Sequence, residues 1–94
     1  MIVLIVTYKC KPGMNRQFLE RINAEGIGAA CRAEEGNIKY DYYLPTDGSD
    51  DLLLLEKWES PEALQKHSKQ PHLAKLKEIK PEYVTDVALN RFES

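Results

Sequence analysis

The sequence predicts an α+β fold with the element order β-α-β-β-α-β, and three observations carry it. Four segments, Ile2–Cys10, Ile38–Leu44, Asp51–Trp58 and Tyr83–Phe92, have strand length and strand composition. Two stretches between them carry apolar residues at helical spacing, one starting at Met14 and one at Ala63. Proline, glycine and aspartate clusters stand where the chain must turn. That order is the ferredoxin-like arrangement, a four-stranded antiparallel sheet with both helices on one face.

In the first strand Ile2, Leu4, Val6 and Tyr8 point one way, while Val3 and Ile5 point the other with Thr7 and Lys9. Lys11-Pro12-Gly13 is a turn. Met14, Phe18 and Ile22 then recur every four residues beside Leu19, with Asn15, Arg16, Glu20 and Arg21 outward. Gly26 and Gly28 weaken this helix, each by up to about 1 kcal/mol against alanine. It is expected to resume over Ala29–Glu34 and to stop at Gly36, a left-handed terminator.

In the second strand Tyr40 and Tyr42 share a face with Ile38, and Tyr43 lies on the other. Residues 45–50 are a hairpin loop of turn formers leading to the third strand. Ser60 is an N-cap, Pro61 takes the first helical position and Glu62 complements the dipole. Pro71 interrupts that helix, a second set of turns covers His72–Ile79, and Pro81 precedes the last strand.

Strands one and three are apolar on both faces, yet two helices cover only one. Leu52–Leu55, four leucines in a row, cannot all face inward in a one-sided sheet. A second copy packed sheet to sheet would cover the rest, which predicts a homodimer with a dimeric α/β barrel core.

Ninety-four residues make one domain, 1–94. A chain of this length buries only about 60–65% of its unfolded surface, so a partner surface helps it. The net charge of −2, with both signs interspersed, argues against a nucleic-acid partner, which calls for a basic stripe. No apolar run reaches the roughly 18 residues of a membrane span. The N-terminus lacks a basic region and a cleavage site, so a cytoplasmic location is expected. Cys10 and Cys31 have no metal or redox spacing and read as buried thiols.

The stretch Leu52–Leu76 gathers an acid, a tryptophan and two imidazoles. His67 suits a base or acid at neutral pH, or equally a cap for the end carbonyls of its helix. His72 lies five residues on, beyond Pro71, which is not the spacing of a two-histidine metal site on one helix. Glu56 shares strand parity with Trp58 and needs a partner if it faces inward. Trp58 supplies a flat pocket wall or an ordinary core residue. Tyr40, with Tyr8 and Tyr42, is a strand tyrosine able to orient a phenolic ligand, and Asn23 could do the same. Cys31 lies on the inner side of the first helix.

Several pieces resemble the antibiotic biosynthesis monooxygenase (ABM) family, including its quinol monooxygenase branch. They are Lys11-Pro12-Gly13, the segment from Arg32 through Gly36 to Tyr40, the run from Glu56 through Trp58 and Ser60 to Leu64, and the stretch from Gln65 through His67 to Pro71-His72. The resemblance spans nearly the whole chain and implies a ferredoxin-like homodimer. It also implies oxidation of a small phenol or quinol by dioxygen with no metal, flavin or other cofactor. On it, His67 is the base or proton shuttle, Trp58 and Tyr40 wall the ring, and Glu56 and His72 anchor polar groups. Haem-degrading relatives carry an Asn, a Trp and a His where Thr7, His67 and Lys77 stand here, so haem cleavage is disfavoured. The alternatives are an isomerase of a small phosphorylated signalling sugar, with Lys39, Lys57 and Lys66 as phosphate partners, or a non-enzymatic ligand-binding dimer.

Overall fold

A computed structural model describes residues 1–94. Its elements are β1 (Ile2–Cys10), α1 (Asn15–Ala24), α2 (Ile27–Arg32), β2 (Asn37–Tyr43), β3 (Asp51–Trp58), α3 (Pro61–Ser68), α4 (Pro71–Ile79) and β4 (Val84–Glu93), with a 3₁₀ turn at Lys80–Glu82. The four strands form one antiparallel sheet in the order β2-β3-β1-β4. This is the ferredoxin-like fold, each of whose two helical crossovers is broken into two short helices.

Both breaks have a local cause. Gly26 takes a left-handed φ of 69°, which only glycine adopts without strain, and α2 restarts directly at Ile27 rather than at Ala29. Pro71 has no N–H to continue α3 and instead opens α4. Ser60 caps α3 as its composition demands, its hydroxyl accepting from the Ala63 N–H at 3.2 Å.

The even-numbered residues of β1 and β3 face the helices. Ile2, Leu4, Val6 and Tyr8 meet Leu52, Leu54, Glu56 and Trp58 across the β1–β3 pair, and all are buried. Phe18 and Ile22 from α1, Ile27 and Cys31 from α2, and Leu76 and Ile79 from α4 close the core above them. Phe18 stacks on Tyr83 and meets the edge of Tyr8.

β2 differs from the sequence expectation at one point. Asn37 pairs with Trp58 and Lys39 with Lys57, so two steps of β2 oppose one of β3. Ile38 sits in that bulge and is exposed, off the face shared by Tyr40 and Tyr42.

On the sheet's other face Val3, Ile5, Leu53 and Leu55 stay half-buried with no helix above them. β4, at the sheet edge, is bare on both sides, with Leu89 60% and Phe92 54% exposed. No helix is long and apolar enough to cross a membrane.

Candidate functional site

The last turn of α3 delivers His67 into the space between the helices and the sheet, where it is 5% exposed. Its ring stacks at a tilt on Trp58, centroids 4.5 Å apart, and meets Tyr40 edge-on at 5.6 Å. The parity of β3 puts Glu56 beneath the same ring. Trp58 donates its indole N–H to Glu56 Oε1 at 3.0 Å, and that oxygen lies 3.7 Å from His67 Nε2. Burial raises the Glu56 carboxyl above its ordinary range, opposed by the Trp58 hydrogen bond and the His67 charge.

On the ring's other side stands Glu34, in the turn between α2 and β2. Its Oε2 accepts from His67 Nδ1 at 2.7 Å and from His72 Nε2 at 2.8 Å. A carboxylate only accepts, so both imidazole nitrogens carry hydrogens there, and the neutral form of the His67 ring has its lone pair on Nε2. The break at Pro71 makes this convergence possible. Five residues would separate two faces of one helix, but His67 ends α3 while His72 opens α4, and both turn towards Glu34. Cys31 lies beside them, fully buried. Desolvation, outweighing the Tyr40 hydrogen bond, pushes its thiol up to about 12.

A cavity of about 380 Å³ opens beside His67, lined further by Tyr8, Leu73, Leu76, Lys77 and Lys80, with Lys69 and Gln70 at its rim. This lies within the usual size of a small-molecule site. Of the candidate catalytic and binding residues read from the sequence, His67 and Tyr8 line it. Trp58, Tyr40 and Glu56 pack around the imidazole outside the cavity lining, whereas the sequence reading set Trp58 and Tyr40 as walls of a ligand ring and Glu56 as an anchor for its polar groups. His72 bonds to Glu34 and does not line the cavity. Asn23 is not brought to the site: it is exposed on α1, over a shallow depression shared with Leu19 and Tyr42. Lys39 is paired with Asp41 at 2.6 Å and, with Lys57, borders another open depression.

The sequence reading missed Glu34. It sits in an acidic pair before Gly36 and so resembles a solvated helix end. Its signal was its spacing of three from Cys31, which places it on the inward side of the same helical path.

Residues 1–79 match the family model described as antibiotic biosynthesis monooxygenase. The chain belongs to this family. A curated relative from Bacillus subtilis (strain 168), named "Putative monooxygenase YcnE", is 35% identical over 83 residues, 84% of this chain and 85% of its own. Among solved structures, Rv0793 from Mycobacterium tuberculosis superposes with a TM-score of 0.84 at 28% identity, covering 99% of this chain and 93% of that one. PA3566 from Pseudomonas aeruginosa gives 0.87 at 22% identity over 99% and 92%. Monooxygenase chemistry is thus the family-level activity of this ABM chain, and its cavity lies beside the one histidine held by carboxylates on both sides.

Proposed function

We propose that the chain is a homodimeric, cofactor-independent monooxygenase that oxidises a small quinol-like or phenolic aromatic with dioxygen. The observation that carries this reading is the His67 imidazole, fixed at Nδ1 by Glu34 and set at the wall of a cavity of about 380 Å³.

The chemistry follows from that placement. The quinol hydroxyl gives its proton to His67, and Glu56 and Glu34 stabilise the resulting imidazolium. The electron-rich anion passes one electron to dioxygen, and the radical pair combines at a ring carbon. Loss of water from the hydroperoxide leaves a quinone carrying one new oxygen. One atom of dioxygen enters the product and the other leaves as water, so no outside reductant is needed. Tyr8, Leu73 and Leu76 supply the apolar contact that holds the ring.

An oxygen electrode with a panel of hydroquinones tests the proposal. His67→Ala should lower turnover by about 10²–10⁴-fold, the usual worth of a positioned acid–base group, with the circular dichroism spectrum kept. Asn23→Ala, remote from the cavity, should change nothing. Equal turnover in the two variants would remove His67 from the reaction. A second reading has its own observation: Lys69, Lys77 and Lys80 border the same cavity and none is in an ion pair. These lysines suit a phosphorylated metabolite and an isomerase. Tight phosphate-ester binding without oxygen uptake would favour it.

A further inference from the structure

Four metal-ligating side chains converge where the two broken crossovers meet. Cys31 comes from the last turn of α2, Glu34 from the turn behind it, His67 from the end of α3 and His72 from the start of α4. One ligand atom from each lies within 4.8 Å of all the others. The side chains of Glu34 and His67 are 9% and 6% exposed, and that of His72 is 19% exposed.

We propose that Cys31, Glu34, His67 and His72 form a four-coordinate site for a divalent transition-metal ion of the zinc class.

Three features support it besides proximity. The first is fit. Zinc bonds of about 2.0–2.3 Å place tetrahedral ligand atoms roughly 3.3–3.8 Å apart, so the cluster needs to draw in by about 1 Å at its widest and to open by about 0.5 Å between Glu34 and the two imidazoles. His67 Nδ1 and His72 Nε2 already address a single Glu34 oxygen from two directions.

The second is charge. Thiolate and carboxylate together cancel a divalent cation, so the loaded site is neutral in a buried setting where net charge is costly. Soft sulfur and two imidazoles select a zinc-type ion over magnesium or calcium, which take oxygen ligands.

The third is the support behind the ligands. Metal-bound histidines donate their other N–H to a carboxylate, and Glu56 stands 3.7 Å from His67 Nε2, itself held by Trp58. On binding, the thiol proton is released and each imidazole carries its one hydrogen on the nitrogen away from the metal, His67 on Nε2 and His72 on Nδ1. That is the reverse of the tautomer a base requires, so the metal-loaded chain cannot use His67 as a proton acceptor. This last consequence rests on the function proposed above, whereas metal binding itself does not.

Cobalt(II), a coloured stand-in for zinc, tests the site on the intact chain after dialysis against a chelator. The expected result is one ion per chain, a thiolate-to-cobalt charge-transfer band in the near ultraviolet, and the strong visible bands of a four-coordinate ion, all bleached by added Zn²⁺. Cys31→Ser should abolish the charge-transfer band, and Glu56→Gln should keep it while weakening binding by roughly 10–100-fold. If Cys31→Ser does not fold by circular dichroism, His72→Ala at the more open edge takes its place and should likewise weaken binding. No charge-transfer band, a spectrum unchanged by Cys31→Ser, or cobalt affinity unchanged by His72→Ala would each overturn the site. None of these readouts depends on oxygen uptake.

Discussion

Replacing Gly36 by alanine is expected to cost this fold about 2–5 kcal/mol, the sum of two separable terms. Gly36 ends the α2–β2 turn with a φ of +86°. A Cβ in that left-handed conformation costs roughly 1–2 kcal/mol by its contact with the local backbone. The second term is packing. An added Cβ would lie 2.5 Å from the Ala63 Cβ, far inside the ~3.5–4.0 Å of ordinary carbon contact. The Ala63 methyl is fixed to its backbone, so relief requires α3 to move off the turn. The Glu59 N–H, which donates to the Gly36 carbonyl at 2.9 Å, resists that movement. Overpacking of this kind costs about 1–3 kcal/mol.

Gly48 provides the comparison. Its φ is +79°, but nothing lies within 4 Å of where its Cβ would be, so Gly48→Ala carries the conformational term alone. Urea unfolding reads both variants, with slopes of about 1–3 kcal/mol/M for small proteins. The difference in midpoint isolates the packing term. Adding Ala63→Gly to Gly36→Ala should recover that term in a double-mutant cycle. If Gly36→Ala and Gly48→Ala cost the same, α3 does not press on this turn. The placement of Glu34 beside His67, two residues before Gly36, would fall with it.

Other variants probe separate links. Trp58→Phe deletes the N–H that Glu56 accepts in the core and should cost about 2–4 kcal/mol in urea unfolding, whereas Glu56→Gln keeps an acceptor and should cost less. Light scattering should give twice the chain mass for the parent, and Ile5→Asp, on the uncovered sheet face, should halve it while the circular dichroism spectrum is kept. A parent that scatters as a single chain would remove the dimer. The hydrogen bond from Lys39, helped by Arg32, holds Asp41 below the ordinary carboxyl value of 3.8. A lowered folded value means the contribution is complete above that value and fades as pH falls through the folded one. Asp41→Asn should therefore lower Tm slightly at neutral pH and converge with the parent in acid, with the gap closing in high salt.

The strands and turns were legible because each is written locally. β1 and β3 carry their apolar residues in runs, Gly36 stands where a left-handed residue is needed, and Ser60-Pro61 opens α3 as its chemistry requires. Two departures came from geometry that periodicity does not encode. The bulge at Ile38 depends on how β2 meets β3, and the restart at Ile27 depends on how sharply Gly26 turns the chain.

The candidate site was legible by residue type more than by arrangement. His67 stood out as an imidazole suited to acid–base work at neutral pH, and Glu56 and Trp58 as an acid and indole of one parity. Which face that parity served was open, because strands apolar on both sides give no direction. Packing of Phe18, Ile22 and Leu76 over the even-numbered residues settles it and turns Glu56 and Trp58 into the support of His67. Glu34 escaped because its meeting with His67 and His72 depends on the bend at Pro71, a relation between two helices rather than within one.

The proposed reaction is tested most directly by following ¹⁸O₂ into the product of a hydroquinone turned over by the purified chain. The account predicts one labelled oxygen in each quinone and one in water, with the labelled product lost in His67→Ala. A quinone formed without label, with dioxygen reduced only to peroxide, would contradict it.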